Sequence, residues 1–189
     1  MANVNHSTLT DPYLHEPKGA STASAGDVYI ADGVGSGSWK QPKQFISGHY
    51  TFSTSSPYSQ SVTTSDAQLN GTFNVIDSNG FNVTLFPSTT TYYYYEGSDD
   101  IHARVHASFS VRQASGGDRQ IELVFAKNTT VIPGSRVVVT STSGDWHHVT
   151  VNWHEDIIST DDLRIYIRAD SACTVQFASG FFDVEGTPV

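Results

Sequence analysis

Eight histidines are the residues of this chain best suited to chemistry, and their spacing decides what they can do. His102 and His106 are four apart. On one face of an extended strand that places their side chains roughly 13 Å apart, too far for one ion to bridge within a chain. His147 and His148 point to opposite faces, and His148 and His154 share a face at a distance of six residues. None of these spacings is that of a zinc motif, so no metal site is expected. The expectation is exposed or hydrogen-bonded histidines on a β surface. A sharper reading has one histidine per subunit meeting its mates on a three-fold axis. The carboxylate pairs Asp99-Asp100, Glu155-Asp156 and Asp161-Asp162 are adjacent in sequence. Neighbouring strand residues face opposite ways, so none is set up as an acid–base pair, and calcium would need about six or more oxygens. There is no Gly-x-Ser-x-Gly elbow, and the glycines at 33, 35 and 37 lack the lysine and helix of a phosphate loop. The chain is therefore expected not to be an enzyme and to need no cofactor.

Tyr92-Tyr93-Tyr94-Tyr95 is the most unusual local feature. On a strand two of these rings face in and two face out. Tyrosine combines a large apolar area with a hydroxyl that must be wet or paired, which suits subunit interfaces, ordinary packing or sugar binding. A trimer interface at Tyr92, Tyr93, Tyr94 and Tyr95 is the expectation carried forward. Trp146 and Trp153, seven apart, are expected on opposite faces of one strand, away from any shared pocket.

The elements that position these residues are strands. Val and Ile number 28 against 6 Leu and 1 Met, and Ser and Thr number 44. β-branched side chains lose rotamer freedom in helices and pack well on a pleated surface. That excludes a helical bundle, and no long amphipathic helix is present to build a doubly wound α/β fold. Period-2 alternation runs from about Phe45 onward. It is clearest from His102 to Arg112, where Ala103, Val105, Ala107, Phe109 and Val111 take one face. Ile121, Leu123 and Phe125 continue it, followed by Val149, Val151 and Trp153, and by Leu163, Ile165 and Ile167. Cys173, Val175 and Phe177 precede Phe182 and Val184, a change of parity that predicts a bulge near Gly180. The Ser115–Asp118 turn sits at hairpin spacing, and Lys127–Thr130 forms another turn. Eight or so strands with turns every 8–12 residues predict an all-β, two-sheet jelly-roll sandwich.

Charge and composition bound the partners. The net charge is −9, which repels phosphate backbones, so no nucleic acid is expected. No stretch reaches the ~20 apolar residues of a membrane span, so no membrane partner is expected. The N-terminus lacks a signal-peptide pattern, and one cysteine, Cys173, fits assembly in a reducing cytoplasm. Residues 1–45 read as an extended arm. Prolines 12 and 17 and five glycines between Leu9 and Trp39 exclude a long helix, and Val28-Tyr29-Ile30 could form a single strand. Residues 46–189 form the folded domain, entered through a hinge at Gln41-Pro42-Lys43.

Two stretches resemble known proteins. Val124-Phe125-Ala126-Lys127-Asn128-Thr129-Thr130-Val131-Ile132, then Asp161-Asp162-Leu163-Arg164-Ile165 and the apolar strand from Val175 to Val184, resemble the tumour necrosis factor-like jelly roll of many bacteriophage virion proteins. That resemblance implies a homotrimer. His15-Glu16-Pro17-Lys18-Gly19, Val28-Tyr29-Ile30-Ala31-Asp32-Gly33 and Gly35-Ser36-Gly37-Ser38-Trp39 are similar to N-terminal segments ahead of fibre or decoration domains in phage structural proteins. Together they imply a virion structural protein; the small size, the single domain and the lack of a long fibrous shaft favour a capsid decoration (cement) protein on the virion surface, assembled in the bacterial host cytoplasm. Its arm would bind the major capsid protein through Tyr13, Leu14, His15, Pro17, Val28, Tyr29, Ile30 and Trp39. The alternative is a short head or tail fibre that recognises a host surface glycan.

Overall fold

In a computed structural model the described residues are 23, 26–31, 37–40, 42–50, 52–85, 91–114 and 116–189, with backbone alone at 83–85. The chain divides into two compact units, residues 1–42 and residues 43–189. In the first, β1 (Val28–Ala31) pairs antiparallel with β2 (Gly37–Lys40), with Tyr29 opposite Trp39. The expected single strand is thus half of a hairpin, its partner drawn from a Gly/Ser-rich stretch whose one large apolar side chain is Trp39.

The second unit is built of strands joined by turns. They are β3 (Gln44–Tyr50), β4 (Tyr58–Val62), β5 (Ala67–Gln68), β6 (Phe73–Asn79), β7 (Phe81–Leu85), β8 (Thr91–Tyr95), β9 (Ile101–Gln113), β10 (Arg119–Lys127), β11 (Thr130–Val131), β12 (Val137–Ser141), β13 (His147–Ile157), β14 (Asp162–Ala169) and β15 (Cys173–Pro188). Gln44 and Phe45, expected in the arm, open β3. A six-stranded sheet runs β13-β9-β15-β3-β6, with β4 also on β15. A seven-stranded sheet runs β11-β10-β14-β8-β7, with β12 on β10 and β5 on β14. Their inner faces make one core. Phe182 from the six-stranded sheet stacks on Tyr93 at 4.4 Å and lies 5.8 Å from Phe125, both from the facing sheet. The Tyr93 hydroxyl donates to the Phe182 carbonyl at 2.8 Å, so the one polar atom of that contact is satisfied.

Several turns differ from the expectation. β9 and β10 flank the Gly116-Gly117 turn at hairpin spacing but lie in different sheets, as do β6 and β7 on either side of Gly80. Glycine and aspartate report a chain reversal; they do not report which strand will be the partner. Lys127–Thr130 is a true two-residue hairpin, with Lys127 opposite Thr130 and positive φ at both Asn128 (50°) and Thr129 (68°). That is the backbone of a type I′ turn, whose twist matches paired strands. The parity change in β15 falls between Phe177 and Ser179, at buried Ala178 rather than at Gly180.

Candidate functional site: the outward sheet faces

The two outward faces have opposite character. On the seven-stranded sheet, Arg136 donates to both oxygens of Asp66 at 2.9 and 2.8 Å and to Glu122 at 3.1 Å. Arg168 reaches the same Glu122 at 2.8 Å. Hydrogen bonding from Arg136 holds the Asp66 carboxyl below the usual carboxylate range, against the opposing effect of burial. Arg164 grips Asp162 at 2.6 and 2.8 Å and lies 4.4 Å over the Tyr92 ring. Charges on this face are therefore paired within the chain, and the face is complete in water.

The six-stranded sheet presents the even residues of β9 and β13 and, on β3 and the second half of β15, the odd ones. This brings together His49, His102, His106, His148 and His154, five of the chain's eight histidines. Its middle is uncharged: Ser108 pairs with Thr150 on one side and Phe181 on the other, and Phe181 pairs with His49. The Ser108 hydroxyl and His148 Nε2 are 2.8 Å apart, and Ser179 donates to Ser110 at 3.1 Å. A shallow cavity of about 270 Å³ opens there over Gly180, between His49, His148 and Phe181. A Cβ at Gly180 would strike the Phe109 ring and the Ser108 carbonyl, so only glycine gives this floor. Charge lies toward the ends: at one, Arg104 and His106 meet Asp183 and Glu185, and at the other Arg112 donates to Gln176. Burial and the charge of Arg104 push the His106 imidazole below its usual value, with Asp183 acting weakly the other way. His102 Nδ1 lies 2.7 Å from Asp156, and its ring stacks on His154 at 5.9 Å. Among the described residues no group of three or more His, Cys, Asp or Glu is placed to hold a metal ion.

The residues singled out by sequence are dispersed. Tyr93 and Tyr95 are fully buried in the chain's own core, which removes them from any subunit interface: β8 alternates, and its inward phase lands on these two. Burial pushes the Tyr95 hydroxyl up to about 12 and the Tyr93 hydroxyl further. Tyr92 and Tyr94 are half-buried on the ion-paired face. The carboxylate pairs diverge: Asp161 is buried and accepts from Asn128 Nδ2 and the Ile158 amide, Asp162 holds Arg164, and Glu155 takes Trp153 Nε1 and Lys127. Trp146 lies ahead of β13, not on it, with the Arg112 guanidinium 4.5 Å over its ring. Of the arm residues, Tyr13, Leu14, His15 and Pro17 lie outside the described residues. Val28 and Ile30 are each 45 % exposed on one face of the hairpin, and Tyr29 meets Trp39 edge-on at 5.5 Å on the other.

The histidine face itself was not anticipated. Its members are far apart in sequence, and only strand order makes them neighbours. No protein-family model matches the chain, and no curated protein matches it. Among solved structures, it is similar to Eiger TNF from S. frugiperda, at 11 % identity and a TM-score of 0.50, over 76 % of this chain and 93 % of that one. Murine APRIL gives a TM-score of 0.47 at 6 % identity, over 77 % of this chain and 100 % of that one. PRD1 vertex protein P5 gives 0.42 at 12 % identity, over 77 % of this chain and 97 % of that one. At such identities the likeness concerns architecture: the chain carries an all-β, tumour necrosis factor-like jelly roll.

Proposed function

We propose that this is a homotrimeric virion structural protein, a capsid decoration (cement) protein with no catalytic role. One observation carries the reading. The outward face of the six-stranded sheet has an uncharged centre of small hydroxyls, histidines and the half-buried Phe181, whereas the opposite face is closed by its own ion pairs. A chain of net charge −9 meets copies of itself with least repulsion through its neutral surface. We therefore place the trimer contact on His49, Ser108, Ser110, His148, Ser179 and Phe181, not on the tyrosine run. The resemblance of the arm and jelly roll to phage virion proteins supports the virion location and the capsid partner.

The mechanism is mechanical. The hairpin of the first unit is too short to be stable by itself, since an isolated two-stranded hairpin is marginal in water. Its Val28 and Ile30 are available to a partner's apolar surface, and its edges to strand addition. Three arms per trimer bind with the avidity of linked sites. Trimers that span neighbouring capsid subunits raise the free energy needed to part them. Light scattering tests the assembly: three chains of 20.5 kDa give about 61 kDa, and Phe181→Asp should yield monomers with an intact fold. Immunogold labelling of intact particles tests the location. Label over the whole capsid is expected; label confined to the tail would overturn the cement role.

A further inference from the structure

A cavity of about 490 Å³ lies at one end of the jelly roll, where β4 and the first residues of β15 approach the start of β10. That volume is within the range of small-molecule sites, roughly 300–1,000 Å³. Ser61 and Thr174 face each other across the β4–β15 pair and line it, with Thr63 beside them. Arg119 and Cys173 complete the wall.

Arg119 is the anomaly. The Arg136, Arg164 and Arg168 guanidiniums each hold a carboxylate, and Arg112 holds Gln176 and the Trp146 ring. Arg104 is exposed to water. Arg119 is half-buried, and its Nη1 donates to the neighbouring Asp118 carbonyl at 2.9 Å. Its Nε is buried without a hydrogen-bond partner among the described residues. A guanidinium taken partly out of water with no counter-ion carries an uncompensated desolvation cost, which a bound anion relieves. Its fork fits a carboxylate through two parallel hydrogen bonds. The Cys173 thiol is pushed up by burial, drawn down by the Arg119 charge and raised again by Asp170, so Arg119 and Cys173 are electrostatic neighbours in the same wall, with the Asp170 carboxylate behind it and outside the cavity lining. Around this one cation the cavity offers hydroxyls rather than a second charge.

We infer that this cavity binds a small carboxylate flanked by hydroxyls, of the uronic-acid class of sugar, with Arg119 holding the carboxylate and Ser61, Thr63 and Thr174 the ring hydroxyls. The site goes beyond the assembly role and does not depend on it, because the cavity lies away from the proposed trimer contact and its test uses the isolated protein.

The test is titration of the full-length ¹⁵N-labelled chain with sodium glucuronate, glucose, sodium acetate and inorganic phosphate in separate arms, followed by amide and arginine side-chain shifts. Glucuronate should give saturable shifts at Arg119, Cys173 and Thr174. Glucose should give none there, and acetate should bind at least tenfold more weakly. Arg119→Gln should abolish the glucuronate shifts while the rest of the spectrum stays folded. Thr174→Val should weaken glucuronate at least fivefold and leave acetate unchanged, and this variant decides the matter if Arg119→Gln does not fold. Glucuronate shifts that are absent, or that persist in a folded Arg119→Gln, overturn the site. Acetate or phosphate binding as tight as glucuronate overturns the ligand class.

Discussion

Phe109 lies mid-strand on β9 with Tyr50, Phe73 and Phe177 around it at ring-centroid separations of 6.1, 6.1 and 6.0 Å. No part of it reaches solvent. Removing a ring from such a site loses its transfer free energy and leaves a cavity that rigid neighbours fill poorly, so Phe109→Ala should cost about 3–5 kcal/mol. The midpoint of thermal or denaturant unfolding reads this directly, and an unchanged midpoint would mean the site collapses without loss. A second residue-scale effect is pH dependence. His106 lies between Asn152 and Asp183 across its two strand pairings, with Phe181 edge-on at 4.7 Å. Its folded value is below the ordinary 6.5, so the unfolded chain takes up its proton first as the pH falls. The stabilising contribution is full above 6.5 and is lost as pH falls from there through the depressed folded value. Asp66 behaves in the same direction in a separate window: its contribution is full above 3.8 and is lost as the pH falls below that. Unfolding midpoints measured at fixed protein concentration should thus fall between about pH 7.5 and pH 5.5 in the wild type. They should fall less in His106→Gln, while the acid limb below pH 4 should persist in that variant and shrink in Asp66→Asn. An equal slope in His106→Gln would assign the neutral limb to other groups.

At the scale of elements, the two units separate in sequence at Pro42 and Lys43. Among the described residues the core of the jelly roll runs from Ile46 to Val184, all within the second unit. Deleting residues 1–42 should therefore leave the melting temperature of the domain within a few degrees of the parent, and it should abolish binding to particles stripped of the native protein. Full occupancy by the truncated domain in a sedimentation assay would remove the attachment role from the arm. The same elements explain what could be read from sequence. The face of each strand is a local property, set by alternation, so β9 and β14 were legible almost residue by residue, and Phe109, Phe125 and Phe182 were correctly placed inside. Pairing is not local. The turn after Gln113 has the composition of a hairpin turn yet carries the chain between sheets, and the partner of β1 hid in a Gly/Ser-rich stretch with no alternation. The histidine face was illegible for that reason: it gathers residues from strands whose adjacency only the strand order β13-β9-β15-β3-β6 provides, and the Arg119 cavity likewise joins β4 and β15 of one sheet to the start of β10 in the other. In the tyrosine run alternation predicts two rings in and two out, but four like side chains carry no sign of which pair is inward; the structure buries Tyr93 and Tyr95.

For the whole molecule, the question is whether the proposed trimer works on the capsid or on the host. The jelly roll offers two finished outer surfaces, one closed by the Asp66–Arg136–Glu122–Arg168 network and one suited to self-contact, and the first unit adds a short hairpin with exposed Val28 and Ile30. A cement protein acts through many copies and through the subunits it joins. Its loss should lower the temperature at which particles release their genome and raise their sensitivity to osmotic shock, with adsorption to cells unchanged. A short fibre acts once, at the host surface. Its loss should slow adsorption while particles withstand heat as before. The Arg119 cavity adds a way to separate the two effects within one protein, because its substitution leaves the arm and the proposed trimer contact in place. Three phages should therefore be compared: wild type, a deletion of the gene, and Arg119→Gln. The expected pattern is a heat-sensitive deletion, a heat-stable Arg119→Gln and normal adsorption for both. A deletion with normal heat stability and lost adsorption would transfer the protein to the fibre class. If Arg119→Gln alone reproduced that adsorption defect, the sugar-acid site would become the receptor contact itself.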